Sequence, residues 1–119
     1  MNSLINIHSV NQKVYLSVGI YSIKVLGGWS VKVNNFSVSL RKIENGLVIK
    51  SEDTFWKYQS YAFNKKTKKI AVLDIHESGN FVVEFSNPKN LKVKPSSLIV
   101  SQIFEKEIPN QDLEICIGC

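Results

Sequence analysis

The chain has 119 residues, 44 % of them hydrophobic and 21 % charged, and carries a net charge of +5. That length suits one domain, 1–119, around one core, and the composition is that of a folded chain, which excludes a disordered one. No stretch approaches the roughly 18 apolar residues of a membrane helix, and Met1 to Val10 lacks the basic start and apolar run of a secretory signal, so the expectation, if the chain is complete, is a cytoplasmic protein without a membrane segment.

Leu4 to Val10 alternates and suits an opening strand; after Asn11-Gln12, Val14, Leu16 and Val18 alternate with Lys13, Tyr15 and Ser17. Gly19 then starts the clearest strand, where Tyr21, Ile23 and Val25 share one face and Ser22 and Lys24 the other, the period of two that one buried face produces. Leu26-Gly27-Gly28-Trp29 is a turn. Ser30 to Glu44 is long for one strand, and Asn34-Asn35 is expected to break it. Glu44-Asn45-Gly46 is the strongest hairpin signal, with Leu47 to Lys50 returning from it.

Ser51 to Thr54 reads as a loop, Phe55 to Phe63 as an aromatic strand, Asn64 to Lys69 as a solvated hairpin loop, and Ile70 to His76 as a strand. A turn at Glu77-Ser78-Gly79 leads to Phe81, Val83 and Phe85 in alternation. Turns at Ser86 to Asn90 and Lys94 to Ser96, a strand from Leu98 to Glu107 and a short strand from Leu113 to Ile117 complete the chain. No ten-residue window sustains helical spacing of apolar residues. About nine short strands separated by turn signals predict an all-β protein, a single antiparallel β-sandwich.

Residues 19–43 and 79–103 align without gaps, with Gly19/Gly79, Lys32/Lys92, Val33/Val93, Ser37/Ser97 and Ile43/Ile103 identical. They read either as a duplicated unit or as two segments obeying one alternation. A turn glycine followed by an aromatic and aliphatic residues at alternate positions resembles the inner strands of jelly-roll β-sandwich modules, including carbohydrate-binding modules, over residues 17–45 and 77–104. The resemblance implies a jelly-roll sandwich and brings no ligand-contacting motif with it.

The aromatic strand is the most informative local feature. Phe55, Tyr61 and Phe63 share one face, Trp56 and Tyr58 the other, and a two-layer sandwich buries only one face of a strand. Trp56 and Tyr58, with Trp29 on the same rim, would then form a platform for a protein partner, for a second copy of the chain or for a sugar ring. The alternative packs Trp56 inward and uses Trp29 as a plug at the end of the sandwich.

Lys65, Lys66, Lys68 and Lys69 form a basic run that reads as a solvated hairpin tip. With Lys89, Lys92 and Lys94 they would make a basic patch, but nucleic-acid recognition would want more than the single arginine, Arg41. His8 and His76, with Asp74 and Glu77, supply too few ligands for a metal site. Neither histidine sits in a nucleophile motif, and no glycine-rich phosphate loop is present.

Cys116 and Cys119 lie together near the end and are expected as two reduced thiols. Lys and Arg outnumber Asp and Glu 14 to 6 in residues 1–104 and are outnumbered 4 to 1 in the last fifteen, so 108–119 reads as a short acidic segment on a basic body. The expected function is a non-catalytic binding or assembly module without a cofactor. Carbohydrate binding is the alternative, and a small barrel enzyme a distant one.

Overall fold

Alternation becomes burial strand by strand in a computed structural model that describes residues 4–28, 30–53, 59–62, 65–94 and 108–118. In β3 (Gly19–Leu26), Ile23 and Val25 are buried; in β5 (Ser37–Lys42), Val38 and Leu40; and in β10 (Gly79–Ser86), Phe81 and Val83. Successive side chains of a strand point to opposite faces, so each of these pairs lies on one face.

One sheet has the order β1 (Leu4–Asn6), β12 (Glu114–Ile117), β3, β9 (Lys65–Ile75) and β7 (Glu52–Asp53), with β8 (Gln59–Ala62) also pairing β9. The other has the order β2 (Gln12–Leu16), β10, β5 and β6 (Val48–Lys50), and β4 (Ser30–Lys32) pairs β11 (Lys92–Lys94) in a separate ribbon. Every pairing among the described residues is antiparallel. Ile5, Ile23, Val25, Leu73 and Ile115 of the first sheet join Val14, Leu16, Leu40, Phe81 and Val83 of the second in one contiguous core. The chain is therefore all-β, with two antiparallel sheets facing each other across that core. Four of the pairings are nested, β1 with β12, β2 with β10, β3 with β9 and β5 with β6, with successive pairs in alternate sheets, while β12 with β3 and β10 with β5 complete the two sheets.

Two turns follow from local chemistry. Asn34 and Asn35 take positive φ of 48° and 67° and separate β4 from β5, as their tolerance of the left-handed region allows. The Asn45-Gly46 signal does mark a hairpin, but Ile43 to Gly46 form a wider loop closed by Gly46 N–H donating to Lys42 O at 2.8 Å.

The run Lys65 to Lys69 corrects an expectation. It is the first half of the eleven-residue β9, held by β3 on one side and β8 on the other. Thr67 is fully buried, and Lys66, Lys68 and Lys69 are half-buried rather than at a solvated tip. The run holds no glycine or proline to force a turn, and a lysine stem can lie along a neighbouring strand while its ammonium reaches water. The register shifts at Ile23/Lys24, leaving Ile70 as an extra residue in β9, so that consecutive Ile70 and Ala71 are both buried.

Cys116 corrects a second. It is fully buried and disulfide-bonded, not a reduced thiol; Cys119 lies outside the described residues. The strand expected at Leu98 to Glu107 also lies outside them, and of the aromatic strand only Gln59–Ala62 is described. The two similar segments place β3 and β10 inside opposite sheets, with Gly19 opposite Ile75 and Gly79 opposite Leu16. Their next strands, β4 and β11, pair with each other so that Lys32 faces Lys92, as a local two-fold through the ribbon would require.

Candidate functional site

Three turns meet at one end of the sandwich. Leu16 pairs with Gly79, Val18 N–H donates to Ser78 Oγ at 3.1 Å, and Ile43 N–H donates to Asn80 O at 3.0 Å, which brings Ser17-Val18, Ile43 to Leu47 and Glu77-Ser78 together. Seven large apolar side chains are exposed among the described residues, and six of them, Tyr15, Val18, Ile20, Ile43, Leu47 and Val48, lie in the first two turns or within two residues of them. Ile20 is 74 % exposed and Val18 63 %. Isolated exposed apolar residues are ordinary, whereas their concentration at one place marks an interaction surface.

Sequence alternation grouped Val18 with Val14 and Leu16, but β2 ends at Leu16 and leaves Val18 in the turn, beyond the reach of the opposite sheet. Ile20 carried a visible signal, a β-branched residue at the outward parity of β3. It faces solvent beside Asp74, its partner in the ladder.

The same end is organised by a buried lysine. Lys42 pairs with Phe81 on the core side of its sheet, and its Nζ lies 3.2 Å from Glu77 Oε2 and 4.0 Å from Glu44 Oε2. A Cβ at Gly79 would come within 2.8 Å of Lys42 Cε, so this glycine leaves room for the stem of the lysine. The Lys42 side chain is 7 % exposed and the two carboxylates 58 % and 83 %. Glu77→Gln is therefore expected to cost about 1–2 kcal/mol in urea unfolding, because it strips the nearer partner from a buried charge. Lys42→Met should cost less, since both carboxylates can turn to water. The reverse order of the two losses would show that the ion pair does not hold this end.

A cleft of about 350 Å³ lies elsewhere, lined by His8, Val10, Arg41, Val82, Glu84 and Phe85 among others. Two of its lining residues, His8 and Pro88, are held by Asn110, whose Nδ2 donates to Pro88 O and Leu91 O, both at 2.9 Å. That fixes the amide orientation, so Oδ1, 2.7 Å from His8 Nε2, must accept, and the imidazole carries a proton on Nε2. Arg41 Nε lies 3.6 Å from Glu84 Oε1. Ser9 lines the cleft too, but among the described residues it makes no hydrogen bond to His8, so the pairing that activates a serine is not assembled there.

Trp29, Trp56 and Tyr58 lie outside the described residues, so the aromatic platform has no structural description. His76 Nε2 is 3.4 Å from Asp74 Oδ2 in an exposed pair, which contributes about 0–1 kcal/mol. It lines a different hollow from His8, and the two histidines are not brought together. Among the described residues no group of three or more His, Cys, Asp or Glu converges as metal ligands would. No protein-family model, curated protein or solved structure matches the chain.

Proposed function

We propose that this protein is a non-catalytic β-sandwich assembly module that binds a second copy of itself through the apolar end formed by the β2–β3 and β5–β6 turns. The observation that carries this is the gathering of Tyr15, Val18, Ile20, Ile43, Leu47 and Val48 at that end. An isologous contact needs a self-complementary patch. Here exposed Lys13 and Glu44 line one hollow and exposed Lys50 and Asp74 another, so a two-fold partner can meet each sign of charge with the other.

The nested strand pairing supports a jelly-roll reading of the sandwich, an arrangement that leaves turns free at both ends. Carbohydrate binding rests on Trp56, Tyr58 and Trp29 and gains no observation from the described residues.

Sedimentation and light scattering over rising concentration test the proposal. Wild type is expected to form a reversible dimer, and Ile20→Lys combined with Leu47→Glu to weaken it at least about ten-fold, equivalent to 1.4 kcal/mol. Both positions are exposed, so the melting temperature of the variant monomer should stay near that of wild type. A wild type that remains monomeric throughout, or a variant that dimerises as tightly as wild type, removes the proposal.

A further inference from the structure

The β4–β11 ribbon at the other end carries a charge arrangement that dimerisation does not use. Lys32 stands directly opposite Lys92, and both side chains are exposed. Residues so placed have Cβ atoms about 4.5–5.5 Å apart on one face, where like charges repel. Lys89 is exposed in the 3-10 turn Pro88–Asn90 that leads into β11. None of the three has an ion-pair partner among the described residues. The sequence supplies no local neutralisation either, since no Asp or Glu occurs from Gly19 to Ile43 or from Phe85 to Phe104.

The backbone beneath these lysines is braced. Asn34 Nδ2 donates to Asn90 O and Asn87 Nδ2 to Asn35 O, each at 3.1 Å, tying the two segments together just beyond the Lys32/Lys92 end of the ribbon. Val93 is fully buried, and Ile108 N–H donates to its carbonyl at 2.8 Å. The backbone that carries the two lysines is therefore fixed by the core, while their exposed side chains are free to turn toward an anion.

We propose that Lys32 and Lys92, with Lys89 beside them, bind a tetrahedral oxyanion group, phosphate or sulfate, carried by a ligand. An anion between the ammonium groups replaces their repulsion with charge-assisted hydrogen bonds. Lysine acts as a compact point charge with rotatable donors and suits a tetrahedral anion without the planar match that arginine imposes.

The test is a pair of amide NMR titrations, one with inorganic phosphate and one with inorganic sulfate, each at constant ionic strength made up with chloride. Wild type should show saturable shifts confined to residues 31–33 and 89–94. Lys32→Gln combined with Lys92→Gln should weaken the response at least ten-fold. A response to phosphate alone assigns a phosphate-bearing ligand, and a response to sulfate alone a sulfated one; either supports the site. Lys92→Glu supplies a second readout, because it places opposite charges across the ribbon: it should melt above wild type in chloride and lose the anion response. Shifts that rise linearly and spread over all the surface lysines, or an unweakened double variant, overturn the proposal. The dimer variant with Ile20→Lys and Leu47→Glu should titrate like wild type, which separates failure here from failure of the assembly proposal.

Discussion

Phe81→Ala is expected to remove about 3–5 kcal/mol of stability, the cost of deleting a large aromatic side chain from a packed core. Phe81 is fully buried in β10, flanked in its sheet by Val14 on β2 and Lys42 on β5. It belongs to the core shared with Ile23, Leu73 and Ile115 of the opposite sheet, so its loss opens a void between the layers rather than at an edge. With a domain stability of roughly 5–15 kcal/mol, that loss moves the chain close to unfolding at room temperature. Urea unfolding monitored by tryptophan fluorescence measures it, with the midpoint falling and the slope unchanged. A loss below about 1 kcal/mol would mean that the two sheets do not share this side chain.

Asn110→Leu is the second large effect, about 2–4 kcal/mol, since each buried polar group left without a partner costs about 1–3 kcal/mol. The amide joins the 3-10 turn Asn110–Asp112, the turn Pro88–Asn90 and the β1–β2 connection by holding two carbonyls and the His8 imidazole at once. Leucine has a similar volume and no hydrogen-bonding group, so the effect reads the hydrogen bonds rather than a cavity. The part-buried setting lets water replace some of the loss, which keeps the figure below the sum of three bonds. Amide exchange of residues 8–11 and 89–91 should quicken in the variant, while that of β3 and β10 follows global stability alone. Unchanged exchange around His8 would show that Asn110 does not hold the cleft wall.

These two positions differ in how far sequence could reach them. Phe81 was legible, since its alternation with Asn80 and Val82 after Gly79 assigns it to a strand face from neighbours alone. Asn110 was not. It reads as part of a break at Pro109-Asn110-Gln111, and nothing local ties it to His8, 102 residues away. The basic run misled for a related reason: lysines that look like a solvated tip take their place in β9 only because β3 and β8 offer ladders on both sides. The exposed apolar end was half legible. Ile20 broke the pattern of β3 visibly, whereas Val18 fitted the pattern of β2 and is exposed because that strand stops short of it.

The sequence by itself determined that the chain is built of short strands, which residues share a strand face, where Asn34-Asn35 and Asn45-Gly46 bend the backbone, and that no Asp or Glu occurs from Gly19 to Ile43 or from Phe85 to Phe104. All of these follow from the two-residue period of a strand and from the conformational preferences of single residues. Only the tertiary structure decided that the strand pairs nest, that Lys42 turns inward to Glu77, that six apolar side chains gather at one end and that Lys32 meets Lys92 across a ribbon. Those outcomes depend on which distant strands close on each other and in what register, which is settled by burial summed over the whole core and not by any local stretch.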